Sequence, residues 1–126
     1  MDVVIILDLS GSIEEVHRYE VMVDLARALV VGLPVASGQA RVGAITFEAT
    51  AQDQFYLSTF DRDVDGLQNA FEFNHAMGTT NTQAALNLAR NTQVNHQFSS
   101  SVILTLILVI PCLLHFMSNV PFAVLL

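Results

Sequence analysis

The 126-residue chain has a single cysteine, Cys112, and no lysine. One cysteine excludes a disulfide within the chain and a zinc cluster built from cysteine thiolates. Acidic residues outnumber basic ones by 12 to 5, all five basic residues are arginines, and the net charge is -7. Because a nucleic-acid interface needs a basic surface, this balance argues against nucleic acid as a partner and is compatible with cation binding.

Formal charge is absent from the carboxyl-terminal part of the chain, where no Asp, Glu or Arg follows Arg90. Residues 102–126 are almost entirely apolar, and the segment exceeds the roughly 20 apolar residues that cross a bilayer. Pro111 and Pro121 interrupt it, and no basic residue flanks it to orient it in a membrane. The amino terminus lacks the basic start and cleavage site of a secretory signal.

The sequence also lacks the motifs of the common enzyme classes. It contains no G-x-S-x-G nucleophile elbow and no P-loop or basic phosphate clamp. His17, His75 and His96 have no partners at metal-ligand spacing. The chain is therefore predicted not to be an enzyme.

What the chain does contain is the alternation of elements that is typical of an α/β protein. Apolar runs and alternating patterns predict strands at residues 3–7, 41–48, 54–57 and 102–106. A period near 3.6 predicts helices at residues 13–31, 67–71 and 84–90. This order predicts a doubly wound, mostly parallel sheet with helices on both faces.

A D-x-S-G-S run at residues 8–12 directly follows the first predicted strand. Ligands bind at the carboxyl ends of strands in an open α/β sheet, and the carboxylate of Asp8 with the hydroxyls of Ser10 and Ser12 suits Mg²⁺, Mn²⁺ or Ca²⁺. The same residues could instead begin a helix, with Ser12 as its N-cap and Glu15 completing a capping box. The pentapeptide alone leaves both interpretations open.

A second acidic pattern, D-x-D-x-D-G at residues 61–66 with Glu72 beyond it, meets the formula of a calcium-binding loop. The apolar residues Leu67 and Phe71 that follow have helical spacing. An acidic first turn of a helix is therefore the favoured interpretation.

A polar loop at residues 78–82, G-T-T-N-T, precedes the last predicted helix and could by itself be a threonine-capped helix start. The loop, the D-x-S-G-S run and the strands D-V-V-I-I-L-D and R-V-G-A-I-T-F-E together resemble the metal-ion-dependent adhesion site of von Willebrand factor A domains. The resemblance is closest to the collagen-associated and matrilin-like members of the extracellular matrix, and it covers residues 1–98.

The resemblance implies a divalent-cation site whose ligands are Asp8, Ser10, Ser12 and Thr80, with Thr82 supporting the second loop without contacting the ion. The implied cation is Mg²⁺, with Mn²⁺ or Ca²⁺ as alternatives. The implied function is non-enzymatic binding, outside the cell, of an extracellular-matrix or cell-surface protein that offers an acidic residue to the cation.

The chain departs from the family's pattern beyond the second loop. The family has a third loop, T-D-G, whose aspartate completes the site, but no acidic residue follows Glu72 here. We therefore expect weakened cation binding, and two parts: residues 1–98 as the first half of an A domain and residues 99–126 as a divergent hydrophobic tail. The tail is interpreted as a non-homologous end, with a membrane segment or a buried strand and helix as alternatives. The alternative to the adhesion function is that the site cannot bind a cation tightly and that the chain is a membrane-associated or non-functional truncated product.

Overall fold

The computed structural model describes residues 1–11, 16–74, 78–93 and 103–108. Its sheet has four strands in the order β3-β2-β1-β4, namely β1 (Asp2–Asp8), β2 (Arg41–Phe47), β3 (Ala51–Phe55) and β4 (Ile103–Leu108). The central strand β1 is parallel to both of its neighbours, whereas β3 runs antiparallel along the outer edge of β2. The sheet is therefore mostly parallel, as predicted.

The helices are α1 (Val16–Gly32), α2 (Val64–Asn69) and α3 (Thr82–Leu88), and a π-helical turn (Ala89–Gln93) continues α3. Helices α1 and α2 contribute to one apolar cluster on the sheet, and α3 contributes to a separate cluster with the alternate side chains of β1 and β2. Helices thus cover both faces of the sheet, which confirms the predicted doubly wound α/β class.

Strand β1 explains why the two clusters form. All seven of its residues are buried, and successive side chains of a strand point to opposite faces. Val3 and Ile5 therefore join the cluster on the α1 side, while Val4 and Ile6 join the cluster on the α3 side. Burying each such side chain contributes about 1.5–3 kcal/mol of transfer free energy, so the continuous apolar run specifies a central strand.

Helix α1 carries the amphipathic pattern that its sequence predicts. Met22, Ala26 and Val30 recur every fourth residue and are fully buried, while Glu20 and Asp24 are exposed. The helix ends at Gly32, two residues before Pro34, as expected. The predicted capping box at its start falls on residues 12–15, which lie outside the described residues.

Strand β3 lies at residues 51–55, whereas the sequence predicts it at 54–57. Its buried and exposed positions alternate without an apolar run, and a register shift interrupts its pairing with β2 at Ala44 and Ile45. An edge strand pairs on one side only and tolerates polar residues, so its apolar content marks its position poorly.

The acidic residues at 61–66 begin a helix, as the favoured interpretation predicts. Asp63 is the N-cap of α2, and its Oδ1 accepts a hydrogen bond of 2.9 Å from the backbone N–H of Gly66. The carboxylate of Glu72 instead lies 3.6 Å from Nη2 of Arg27 on α1. Asp63 and Glu72, two of the carboxylates that a calcium-binding loop would use as ligands, therefore contact other groups of the protein.

Replacing Asp63 by Ala should lower the free energy of unfolding by about 1 kcal/mol, because the cap removes an unsatisfied N–H from the first turn of α2. Urea denaturation with and without Ca²⁺ measures this, and the loss should not depend on Ca²⁺. Asp61→Ala, in the same acidic run but not a cap, is the matched control. An equal loss in both variants would contradict the capping role.

Strand β4 lies within the segment that the sequence analysis assigns to the hydrophobic tail. It pairs with β1 from Asp2↔Ile103 to Leu7↔Leu108, which confirms the strand predicted at residues 102–106. No helix in the described part of the chain is both long and apolar enough to span a membrane. The division of the chain after residue 98 stays a prediction.

Candidate metal centre

Asp8 is the last residue of strand β1, so it lies at the carboxyl end of the parallel strands, and it is fully buried. Its Oδ1 accepts a hydrogen bond of 2.8 Å from the backbone N–H of Ser10, which folds the chain into a tight turn after the strand. Its Oδ2 is also buried, and no described residue donates a hydrogen bond to it. A buried carboxylate oxygen without a donor is costly, and a cation is one group that would compensate it.

The hydroxyl of Ser10, also fully buried, joins the first loop to the second. Thr80 Oγ1 donates a hydrogen bond of 2.8 Å to Ser10 Oγ. A backbone contact also joins the two loops, because the N–H of Gly11, the residue after Ser10, donates to the carbonyl of Gly78, two residues before Thr80, at 2.8 Å. The two polar loops that the sequence analysis pairs are therefore in direct contact.

Both loops are hydrogen-bonded to the carboxyl end of strand β2 or to the residue that follows it. Asp8 is in register with Phe47, and the N–H of Leu9 continues the ladder by donating to the carbonyl of Phe47 at 2.8 Å. The carbonyl of Glu48, the residue directly after β2, accepts from the N–H of Asn81 at 2.8 Å. Parallel pairing thus brings both loops to one edge of the sheet.

Asn81 anchors the second loop, a role that the sequence analysis missed. Its Oδ1 accepts from the N–H of Ala84 as the N-cap of α3, and its Nδ2 donates to the carbonyl of Ala49. The alternative interpretation of this loop, in which a threonine caps the helix, is wrong, because Asn81 occupies the cap and Thr82 is the first helical residue. The strong preference of asparagine for N-caps is the signal that could have found it.

The structure therefore brings together three of the residues predicted from the sequence: Asp8, Ser10 and Thr80. Thr82 lies two residues further on, in the first turn of α3. Ser12, the remaining predicted ligand, lies outside the described residues. One carboxylate with hydroxyl groups is a donor set of hard oxygens, which suits Mg²⁺, Mn²⁺ or Ca²⁺ rather than a soft metal.

No group of three or more His, Cys, Asp or Glu side chains placed to hold a metal ion occurs in the described ranges. A cation at this edge of the sheet would therefore depend on hydroxyls as well as on Asp8. The residues present fit such an ion, because the oxygen of Asp8 that has no described donor belongs to the same turn as the buried Ser10.

The sequence matches the von Willebrand factor type A (VWA) domain family over residues 2–110. The chain belongs to this family. VWA domains are typically non-enzymatic adhesion modules, and they bind a divalent cation at a metal-ion-dependent adhesion site. No protein of curated function matches the chain.

Solved structures share the VWA fold of this chain. Proximal thread matrix protein 1 from the mussel byssus matches with a TM-score of 0.76 and 17% identity, over 84% of this chain and 29% of that one. A structure of the same mussel protein with a zinc-occupied metal-ion-dependent adhesion site matches with a TM-score of 0.71, 21% identity, and coverage of 84% and 28%. An aerotolerance-related membrane protein from Bacteroides fragilis matches with a TM-score of 0.63 and 25% identity, over 83% of this chain and 52% of that one. The chain thus spans about half or less of the length of these relatives.

Proposed function

We propose that this VWA domain binds a divalent cation at the carboxyl end of β1 and, through the cation, an acidic residue of a partner protein. The observation that carries the proposal is the buried Oδ2 of Asp8, which has no donor among the described residues. The other oxygen of the same carboxylate, Oδ1, accepts from the backbone N–H of Ser10, whose hydroxyl contacts Thr80 of the second loop. A cation would supply Oδ2 with a partner that no described residue provides.

The proposed ligands are Asp8, Ser10, Ser12 and Thr80, and Thr82 would support the second loop. Mg²⁺ is the proposed cation, with Mn²⁺ and Ca²⁺ as alternatives. Bound there, the ion would supply Lewis acidity. Because hydroxyls are neutral donors, a single carboxylate would leave the ion with net positive charge, which favours a carboxylate from the partner.

The proposed setting is the extracellular matrix or the cell surface, and the proposed role is adhesion rather than catalysis. The motifs of the two loops support it through their resemblance to collagen-associated and matrilin-like A domains. The fold shared with a mussel byssus matrix protein is compatible with this setting. The partner is defined only by its chemistry, as a protein with an accessible Glu or Asp side chain.

Titration of the purified chain with Mg²⁺ and with Mn²⁺ in a calorimeter tests the cation site. We expect saturable binding to one site, reversed by EDTA, and about tenfold weaker binding after Ser10→Ala, which is about 1.4 kcal/mol. Ser37→Ala is the matched control, because Ser37 is an exposed serine whose hydroxyl donates to the carbonyl of Pro34 in the loop after α1. Absence of binding in the unaltered chain, or equal affinities of the two variants, would overturn the proposal.

A further inference from the structure

The side chain of Glu48 reaches from the end of β2 to the second loop. Glu48 is half-buried and directly follows Phe47, the last residue of the strand. Its carboxylate lies against Gly78 so closely that a Cβ added there would be 2.2 Å from Oε2 and 2.9 Å from Cδ. Any larger residue at position 78 would displace the carboxylate, so the glycine is what allows the close approach.

Two hydrogen bonds place Glu48 next to both loops of the candidate metal centre. Its carbonyl accepts from the N–H of Asn81, the residue after Thr80. Gly78, against which its carboxylate packs, accepts from the N–H of Gly11, the residue after Ser10. The Glu48 carboxylate is therefore held against the backbone that positions the two hydroxyls.

The charge of Glu48 has no counter-charge among the described residues. Two other acidic side chains have a counter-charge: Arg41 pairs with Asp2 at 2.6 Å, and Arg27 lies 3.6 Å from Glu72. No described side chain or backbone N–H donates a hydrogen bond to the Glu48 carboxylate. A half-buried carboxylate without a partner makes the surrounding potential more negative, and solvent screens it less than a fully exposed one.

We propose that Glu48 is a further residue of the cation site, where it strengthens cation binding through its charge and does not contact the ion. Glu48 has this role only if the cation site proposed above exists. Its carboxylate contacts Gly78 and not the hydroxyls of Ser10 or Thr80, so its charge would act on the ion through space, across the second loop. A single charge roughly 8–12 Å from a divalent ion, at effective dielectric constants of about 40 to 80, changes the affinity by roughly three- to thirtyfold.

Mn²⁺ titration of the full chain tests this role by comparing Glu48→Gln with the unaltered protein. The substitution preserves the size of the side chain and the backbone contacts, and removes only the charge. At low ionic strength we expect binding that is roughly three- to thirtyfold weaker. At about 0.5 M salt, where the screening length falls to roughly 4 Å, the difference should shrink.

Asp61→Asn is the matched control, because it removes the same charge from an exposed residue. Its neighbour Arg62 packs against Gly38, in the loop that leads into the opposite end of β2, and so we expect less than about a twofold effect. Equal affinities of Glu48→Gln and the unaltered chain, or a loss that is the same at both salt concentrations, would overturn the role of the Glu48 charge alone. No Mn²⁺ binding by the unaltered chain would overturn both the cation site and the role of Glu48.

Discussion

Replacing Asp8 by Asn is expected to abolish cation binding and, at the same time, to stabilise the cation-free chain. The substitution removes the one carboxylate that is proposed to contact the ion, so we expect affinity for Mn²⁺ to fall at least about 100-fold, or about 2.8 kcal/mol. Without the ion, the buried Oδ2 has no described donor, so removing the charge should raise the free energy of unfolding by about 1–2 kcal/mol. Calorimetric titration and urea denaturation in EDTA measure the two effects.

Asp2→Asn is the matched control, since Asp2 is a second buried aspartate in the same strand. Unlike Asp8, it has a partner, because Arg41 Nε and Nη2 donate to its two oxygens at 2.8 and 2.6 Å. We expect this control to lose about 2–3 kcal/mol of stability, since it leaves the Arg41 guanidinium without its counter-charge, and to bind the cation as before. If both substitutions lower the free energy of unfolding, the buried carboxylate of Asp8 does not destabilise the cation-free chain, and this prediction is wrong.

Replacing Phe71 by Ala is expected to lower the free energy of unfolding by about 3–5 kcal/mol. Phe71 is fully buried, and its ring meets those of Phe55 and Phe73 edge-to-face at centroid distances of 5.3 and 6.1 Å. The substitution leaves a cavity and also removes these ring contacts, which add to the loss. Urea denaturation measures it. Tyr56→Ala, at an aromatic residue that is 49% exposed, should cost less than about 1 kcal/mol, and a similar loss in both variants would contradict the central position of Phe71.

The backbone around Phe71 is also held by α1. Arg27 Nη2 donates to the carbonyl of Phe71 at 2.8 Å, and the hydroxyl of Tyr19 both donates to the carbonyl of Phe73 and accepts from its N–H. The path of the chain toward the second loop therefore depends on contacts with the helix that follows the first loop.

The central elements were predictable from the sequence because their patterns are strong and local. The apolar run of β1 can be buried only between two layers, and the four-residue recurrence of Met22, Ala26 and Val30 can be satisfied only by a helix. The outer strand β3 was misplaced because pairing at an edge depends on backbone hydrogen bonds, which polar and apolar residues provide equally well.

The site was predictable only as far as its motifs extend. Asp8, Ser10 and Thr80 were named from the two loops, and their contacts follow from the parallel pairing of β1 and β2. Glu48 was missed because its contact with Gly78 joins residues that are far apart in the sequence and that belong to no shared pattern. Such a contact exists only after the fold has brought the end of β2 and the second loop together.

Because β1 lies between two parallel neighbours, the start of the first loop loses its conformational entropy when the sheet forms, before any cation binds. Asp8 is the last residue of this central strand, and Leu9 still hydrogen-bonds to β2, so the carboxylate becomes immobile as the sheet forms. Thr80 and its loop are held in the same way before a cation arrives, by hydrogen bonds to Ser10 and to the carbonyl of Glu48. The carboxylate is thereby preorganised, and the free energy of cation binding is not reduced by the entropy of fixing it.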